Sequence, residues 1–200
     1  VTRRILPAWL ALALAGCGDT PAGEALRDSL MPPPIQAAAL PAGPALLVSG
    51  GRWPTAFALV QDAGGRRLWR AEGGIALATD GARIVATAGL GQMLVATRFE
   101  GPDPLEDPRA LLGRSAAARR TVDLQGAARD PASMRFGLLL ECRLDGRAEA
   151  GFVLVTERCA GAAGGFTNRF WAAPATGAVQ RSEQWVGDEV PTLAVEAIGP

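Results

Sequence analysis

The chain has 200 residues, with no histidine and no tyrosine, and all 20 of its basic residues are arginine. Without histidine there is no Ser-His-Asp triad and no imidazole general base. Cysteine is scarce at three, too few for the usual Cys/His zinc site. Basic and acidic residues balance at 20 each, with no basic block, which argues against nucleic acid as a partner. The Gly161–Gly165 stretch precedes no Gly-Lys-Ser/Thr, so it is not a phosphate cradle and no cofactor is implied. The longest early apolar run, Ile5–Leu14, is about ten residues, half of the ~20 that a spanning helix needs. Any chemistry here would rest on carboxylates and arginines, and neither a catalytic set nor a metal set stands out.

What is present begins with Leu14-Ala15-Gly16-Cys17, preceded by that apolar run and by Arg3-Arg4. A charged segment, a short apolar stretch and small residues form a signal peptide. The closing cysteine matches the bacterial lipobox at all four positions. The expectation is a signal over residues 1–16 and a lipidated Cys17 as the mature N-terminus, 16 removed from 200 leaving 184. Its acyl chains would bury in a leaflet at ~0.8 kcal/mol per CH₂. Gly18, rather than aspartate, follows the cysteine; in the enterobacterial sorting habit this points to the outer membrane. The mature chain would carry 18 arginines against 20 acids, a net charge of −2.

Residues 17–44 read as a tether. They hold Pro21, Pro32–Pro34, Pro41 and Pro44 among alanines, an extended composition at ~3.1 Å per residue. Glu24–Leu30 could make a turn or two of helix before the prolines stop it. Residues 45–200 read as a single domain of short apolar runs broken by turn residues. The expected strands are Ala45–Val48, Thr55–Val60, Arg67–Arg70, Ile75–Thr79, Arg83–Leu90, Met93–Phe99, Thr121–Leu124, Arg135–Leu144, Gly151–Arg158, Phe166–Ala173, Ala178–Val186 and Pro191–Ile198. Asp80-Gly81 is a hairpin signal. In Arg83–Leu90 the alternation puts Ile84, Ala86, Ala88 and Leu90 inside and Arg83 and Thr87 outside. In Arg135–Leu144 it puts Phe136, Leu138, Leu140, Cys142 and Leu144 on one face and Glu141 and Arg143 on the other. Asp107 and Pro108 read as the cap and first residue of a short helix over Arg109–Arg120. Asp145-Gly146 reads as a turn, and Ala160–Gly165 as a flexible loop. The fold class is all-β, a meandering antiparallel sandwich or barrel with little helix.

Cys142 and Cys159 are the thiols left once Cys17 is acylated. An even pair outside the reducing cytosol points to one disulfide. Trp53, Trp69 and Trp171 read as core aromatics. Trp185, among Arg181, Ser182, Glu183 and Gln184, is the candidate for an exposed ring. Glu141, Glu157, Glu183 and Asp123 are the carboxylates in or near strands that a glycosidase could use, though Glu141 falls on a polar face.

Several stretches resemble the YjbF/GfcB family of capsule and exopolysaccharide lipoproteins. They are Trp69 followed by Ile75…Thr79-Asp80-Gly81-x-Arg83-Ile84-Val85-x-Thr87-x-Gly89-Leu90-Gly91, then Pro102-x-Pro104-Leu105, Glu157-x-Cys159, Phe166-x-Asn168-Arg169-Phe170-Trp171, and Thr176-Gly177…Arg181-Ser182-x-Gln184-Trp185. The resemblance implies an all-β domain on the periplasmic face of the outer membrane. It also implies a non-enzymatic part in making or exporting capsular or extracellular polysaccharide. Partners would then be the membrane, through the acyl chains, and secretion proteins or the polysaccharide itself. Asn168, Arg181, Gln184 and Trp185 are the candidate contacts, although local bonding would account for Asn168 equally well. Two other readings stand beside this one: a carbohydrate-active enzyme using paired carboxylates, and a purely structural envelope protein.

Overall fold

The computed structural model describes residues 41–50, 54–128 and 130–198. The signal, Cys17, the Glu24–Leu30 turns, Trp53 and the tether before Pro41 lie outside them. Among the described residues there are twelve strands, four short 3₁₀ turns and no α-helix.

The strands are β1 (Ala45–Ser49), β2 (Thr55–Ala63), β3 (Arg66–Arg70), β4 (Ala76–Asp80), β5 (Arg83–Ala88), β6 (Gln92–Phe99), β7 (Ser115–Gly126), β8 (Met134–Glu149), β9 (Phe152–Gly161), β10 (Gly164–Ala172), β11 (Val179–Gln184) and β12 (Leu193–Ile198). They form one antiparallel sheet in the order β5-β4-β3-β2-β1-β12-β11-β10-β9-β8-β7-β6. Every neighbour is a chain neighbour except β1 and β12, which pair from Ala45↔Ile198 to Ser49↔Ala194. The two edges, β5 and β6, are consecutive in the chain, so the sheet curls into a nearly closed barrel. Across that seam the Leu94 N–H donates to Thr87 Oγ1 at 2.9 Å, a side chain standing in where a ladder bond would be.

The interior holds two apolar clusters. One joins Leu46, Phe57, Trp69, Leu77, Ile84, Leu94, Val122, Leu124 and Leu140, among others. The second joins Leu144, Val153, Val155, Phe170 and Ala172 to Leu105 and Leu111. Full burial of each such side chain is worth ~1.5–3 kcal/mol. Leu105 and Leu111 come from 3₁₀ turns at Pro104–Glu106 and Pro108–Leu111, capped by Asp103 and Asp107 through the Leu105 and Arg109 amides. The second turn lies against β8 at Gly146. A Cβ there would sit 2.3 Å from the Leu111 carbonyl oxygen, so only glycine allows the approach.

Several local expectations change. The Asp107 cap and Pro108 start are present, but the helix ends after one turn. Gly113 then takes φ +69°, and Ser115–Gly126 becomes a strand paired on both sides, to β6 and β8. Asp145-Gly146 is not a turn, because β8 continues to Glu149 and the chain reverses at Ala150-Gly151. The Ala160–Gly165 loop shrinks to a tight reversal, with Gly161 paired to Gly164. Two register shifts also move side chains across the sheet. One lies between Ala78 and Thr79 and pairs Thr79 with Ile84, which brings Thr87, expected outside, into phase with buried Ile84; Arg83, also expected outside, is buried at the start of β5, where its side chain bonds Asp103 and Glu157. The other lies between Val122 and Leu124, with Gly137 at φ +67°; Phe136, expected inside, is 57% exposed.

Candidate functional site

Between the two apolar clusters runs a layer of buried polar side chains centred on Glu157, which is fully buried. On β9 it is in phase with Val153, Val155 and Cys159, the inward face. Its Oε2 accepts from Arg83 Nη1 at 2.9 Å and from Asn168 Nδ2 at 2.6 Å. Arg83 is 2% exposed. Its remaining nitrogens are held by Asp103, through Nε to Oδ2 and Nη2 to Oδ1, the latter at 3.0 Å. Its guanidinium also lies over the rings of Phe99 and Phe170, 4.7 and 5.3 Å from their centroids.

A second guanidinium approaches from β7. Arg120 is buried too, but its Nη2 stands 4.0 Å from Glu157 Oε2. Neither its Nε nor its Nη2 has a hydrogen-bond partner, and Glu157 Oε1 has none either. Its contacts are faces of Phe166 and Phe99, 5.1 and 5.9 Å away. The electrostatics follow. Burial pushes the Glu157 carboxyl up, but Arg83 and Arg120 outweigh it, and the group ends below its ordinary value of 4.5. Burial pulls Arg83 down, but Glu157 and Asp103 raise it above its ordinary value. Burial pushes Arg120 down to about 10, only partly opposed by Glu157. Glu157 is therefore a fixed anion rather than a proton donor.

The layer also braces the barrel across its width. Gln184 of β11 accepts from the Ile84 N–H at 2.9 Å and donates to the Ala82 carbonyl at 2.8 Å. Arg83 ties edge strand β5 to β9. Asn168 Oδ1 accepts from the Trp185 N–H at 2.7 Å, and Trp69 Nε1 donates to Thr79 Oγ1 at 3.0 Å.

Above this layer, at the end of the barrel where β1 begins and β4 turns into β5, lies a cleft of about 790 Å³. Arg83, Ser182, Thr97 and Phe99 are among its lining residues, and Arg66, Arg98 and Arg181 contribute as well. The volume falls in the ~300–1,000 Å³ range of small-ligand sites.

The expected contact residues separate. Asn168 and Gln184 are buried, at 1% and 2% exposure, with their amides committed to the layer, so neither is a surface contact. Trp185 stacks on Phe166 with centroids 4.1 Å apart, against the larger cluster. Arg181 alone of the four lines the cleft; it stacks on Trp171 at 4.8 Å. Cys142 and Cys159 face each other across β8 and β9 and form a disulfide. Their sulfurs lie close to Glu157, but bonded to each other they are not metal ligands. Of the expected carboxylates, Glu141 pairs with Arg119, Asp123 with Arg98, and Glu183 with Arg169 and Arg181. Arg83, Arg120 and Asp103 were not singled out in the sequence as site residues. For Arg120 a signal existed: it is in phase with Ala116, Ala118, Val122 and Leu124 on the inward face of β7. For Arg83 strict alternation with Ile84 hid it, because its side chain is buried from the first residue of β5.

A curled antiparallel sheet with a charged layer inside and an open cleft at one end defines an all-β, nearly closed barrel domain. The family model for the group 4 capsule polysaccharide lipoprotein GfcB/YjbF matches residues 27–198, and the chain belongs to that family. Its fold is that of a crystal structure of the hypothetical lipoprotein YmcC from Escherichia coli (K12). That chain is 19% identical, with a TM-score of 0.67 over 91% of this chain and 98% of the other. None of the curated proteins matches this sequence.

Proposed function

We propose that this chain is an acylated protein of the outer membrane, facing the periplasm, that assists production or export of capsular or extracellular polysaccharide by binding rather than by catalysis. The family match over residues 27–198 carries the reading. The Leu14–Cys17 lipobox and Gly18 support the anchor and its membrane, and a disulfide fits an oxidising compartment. Binding rather than catalysis is supported by the burial of Glu157: the carboxylate has no exposed surface and is held by Arg83 and Asn168. The cleft is the surface through which we read contact with polysaccharide or with the proteins that move it.

Deletion in the native host, with surface-bound and secreted polysaccharide both measured, tests this. Loss or redistribution of polymer, restored by the wild-type gene and not by Cys17→Ser, is expected. Unchanged amounts of both pools would contradict the reading. Membrane fractionation of the wild-type protein, with globomycin leaving unprocessed precursor, checks the anchor separately.

A further inference from the structure

We infer that the cleft at the β1 end of the barrel is a binding site for an acidic saccharide, one carrying carboxylates, gripped by the guanidinium edges of Arg66, Arg98 and Arg181. This rests on the reading of the chain as a polysaccharide-binding protein and names the sugar chemistry. Five arginines and three acids line the cleft, a surplus of two cations in a chain with 20 of each charge, while Asp62, Asp123, Glu157 and Glu183 pair with four of the arginines without lining it. Arg66, Arg98 and Arg181 are half or more exposed, at 79%, 64% and 50% of their side chains. Each reaches its carboxylate through a single nitrogen: Arg66 Nε to Asp80, Arg98 Nη2 to Asp123, Arg181 Nη2 to Glu183. The other nitrogens of each fork make no hydrogen bond among the described residues. A planar guanidinium edge matches a carboxylate in two parallel hydrogen bonds. Exposed pairs of this kind contribute little, so an incoming uronate exchanges with Asp80 or Glu183 at little cost.

A neutral sugar would call instead for an open aromatic face. Of the aromatic rings in the lining, Trp69 is 5% exposed and bonded to Thr79, and Phe99 is engaged by the Arg83 and Arg120 guanidiniums, so neither offers an open platform. Arg83 beneath is fully committed to Asp103 and Glu157 and serves as a fixed floor.

The test uses the full chain in detergent, titrated calorimetrically with a short oligogalacturonate and with a neutral oligoglucan of the same length. The acidic oligomer is expected to bind, with affinity falling as salt rises, and the neutral one to bind about tenfold or more weakly. Arg66→Gln with Arg181→Gln should lower acidic binding about tenfold, while Arg147→Gln, outside the cleft, leaves it unchanged. An intact Cys142–Cys159 bond with an unaltered circular dichroism spectrum certifies each fold. Equal binding of the neutral oligomer, or acidic binding that survives the double variant, overturns the acidic assignment and leaves the polysaccharide reading standing. Binding of anionic vesicles without either oligomer, or of none of these probes, also overturns it. The broader reading is judged independently by the deletion experiment.

Discussion

The two sides of Glu157 are built differently. On the β5 side Arg83 meets two carboxylates and two aromatic faces, and its three nitrogens each have a partner. On the β7 side Arg120 is as deeply buried yet meets only ring faces and a carboxylate at 4.0 Å. Both charges lose their water. One recovers it in paired, charge-assisted bonds and the other does not, and burial lowers Arg120 toward 10 accordingly. Burial alone is thus no measure of what a charged residue contributes. What matters is whether its partners are in place. The contrast also has a topological reason: β5 is an edge strand, and Arg83 is one of the few links that tie it across the barrel, whereas β7 is held by ladders on both sides.

The comparison breaks most sharply at Arg83. Arg83→Met leaves Glu157 and Asp103 buried or half-buried without their cation, and should lower stability by about 3–5 kcal/mol, read as a shift of the urea midpoint at constant m. Next comes the disulfide, which crosses the same layer. Cys142→Ser, or reduction, opens a link of sequence separation 17 and should remove about 3 kcal/mol, with the loss falling equally on both sides of Glu157. Glu157→Gln should lower stability by about 2 kcal/mol, keeping shape but losing charge. It should also alter the pH profile. The Glu157 pKa is depressed in the fold, so its contribution is complete above the unfolded value near 4.5 and is lost as pH falls through the lower folded value. Wild type should therefore weaken on acidification more steeply than the variant. The smallest change is expected at Arg120: Arg120→Met should fall within about 1 kcal/mol of wild type, or above it, because no hydrogen bond is lost.

Much of this architecture was readable from the residues alone. Gly- and Asp-Gly-punctuated apolar runs located all twelve strands, because turn chemistry and alternation are local properties. The Asp107-Pro108 cap was legible for the same reason, whereas the length of what followed was set by pairing to β6 and β8. Alternation failed where a strand carries an extra residue. Thr87 and Phe136 each lie beside a register shift, and each changed faces. The charged layer was half legible: Glu157, Arg120 and Asn168 fall in phase with apolar neighbours, a polar residue on an inward face. That they meet one another depends on strand order, above all on β12 returning to β1, which no local pattern encodes. The cleft depends on the same closure.

A double-mutant cycle on the two guanidiniums tests the account at its centre. Unfolding free energies of Arg83→Met, Arg120→Met, Glu157→Gln and the two double variants give one coupling energy for each arginine with the shared carboxylate. The predicted result is a coupling of about 2 kcal/mol or more for Arg83 with Glu157 and about half that or less for Arg120 with Glu157, which keeps the Coulomb attraction at 4.0 Å without a hydrogen bond. Equal couplings, or a larger one for Arg120, would contradict it.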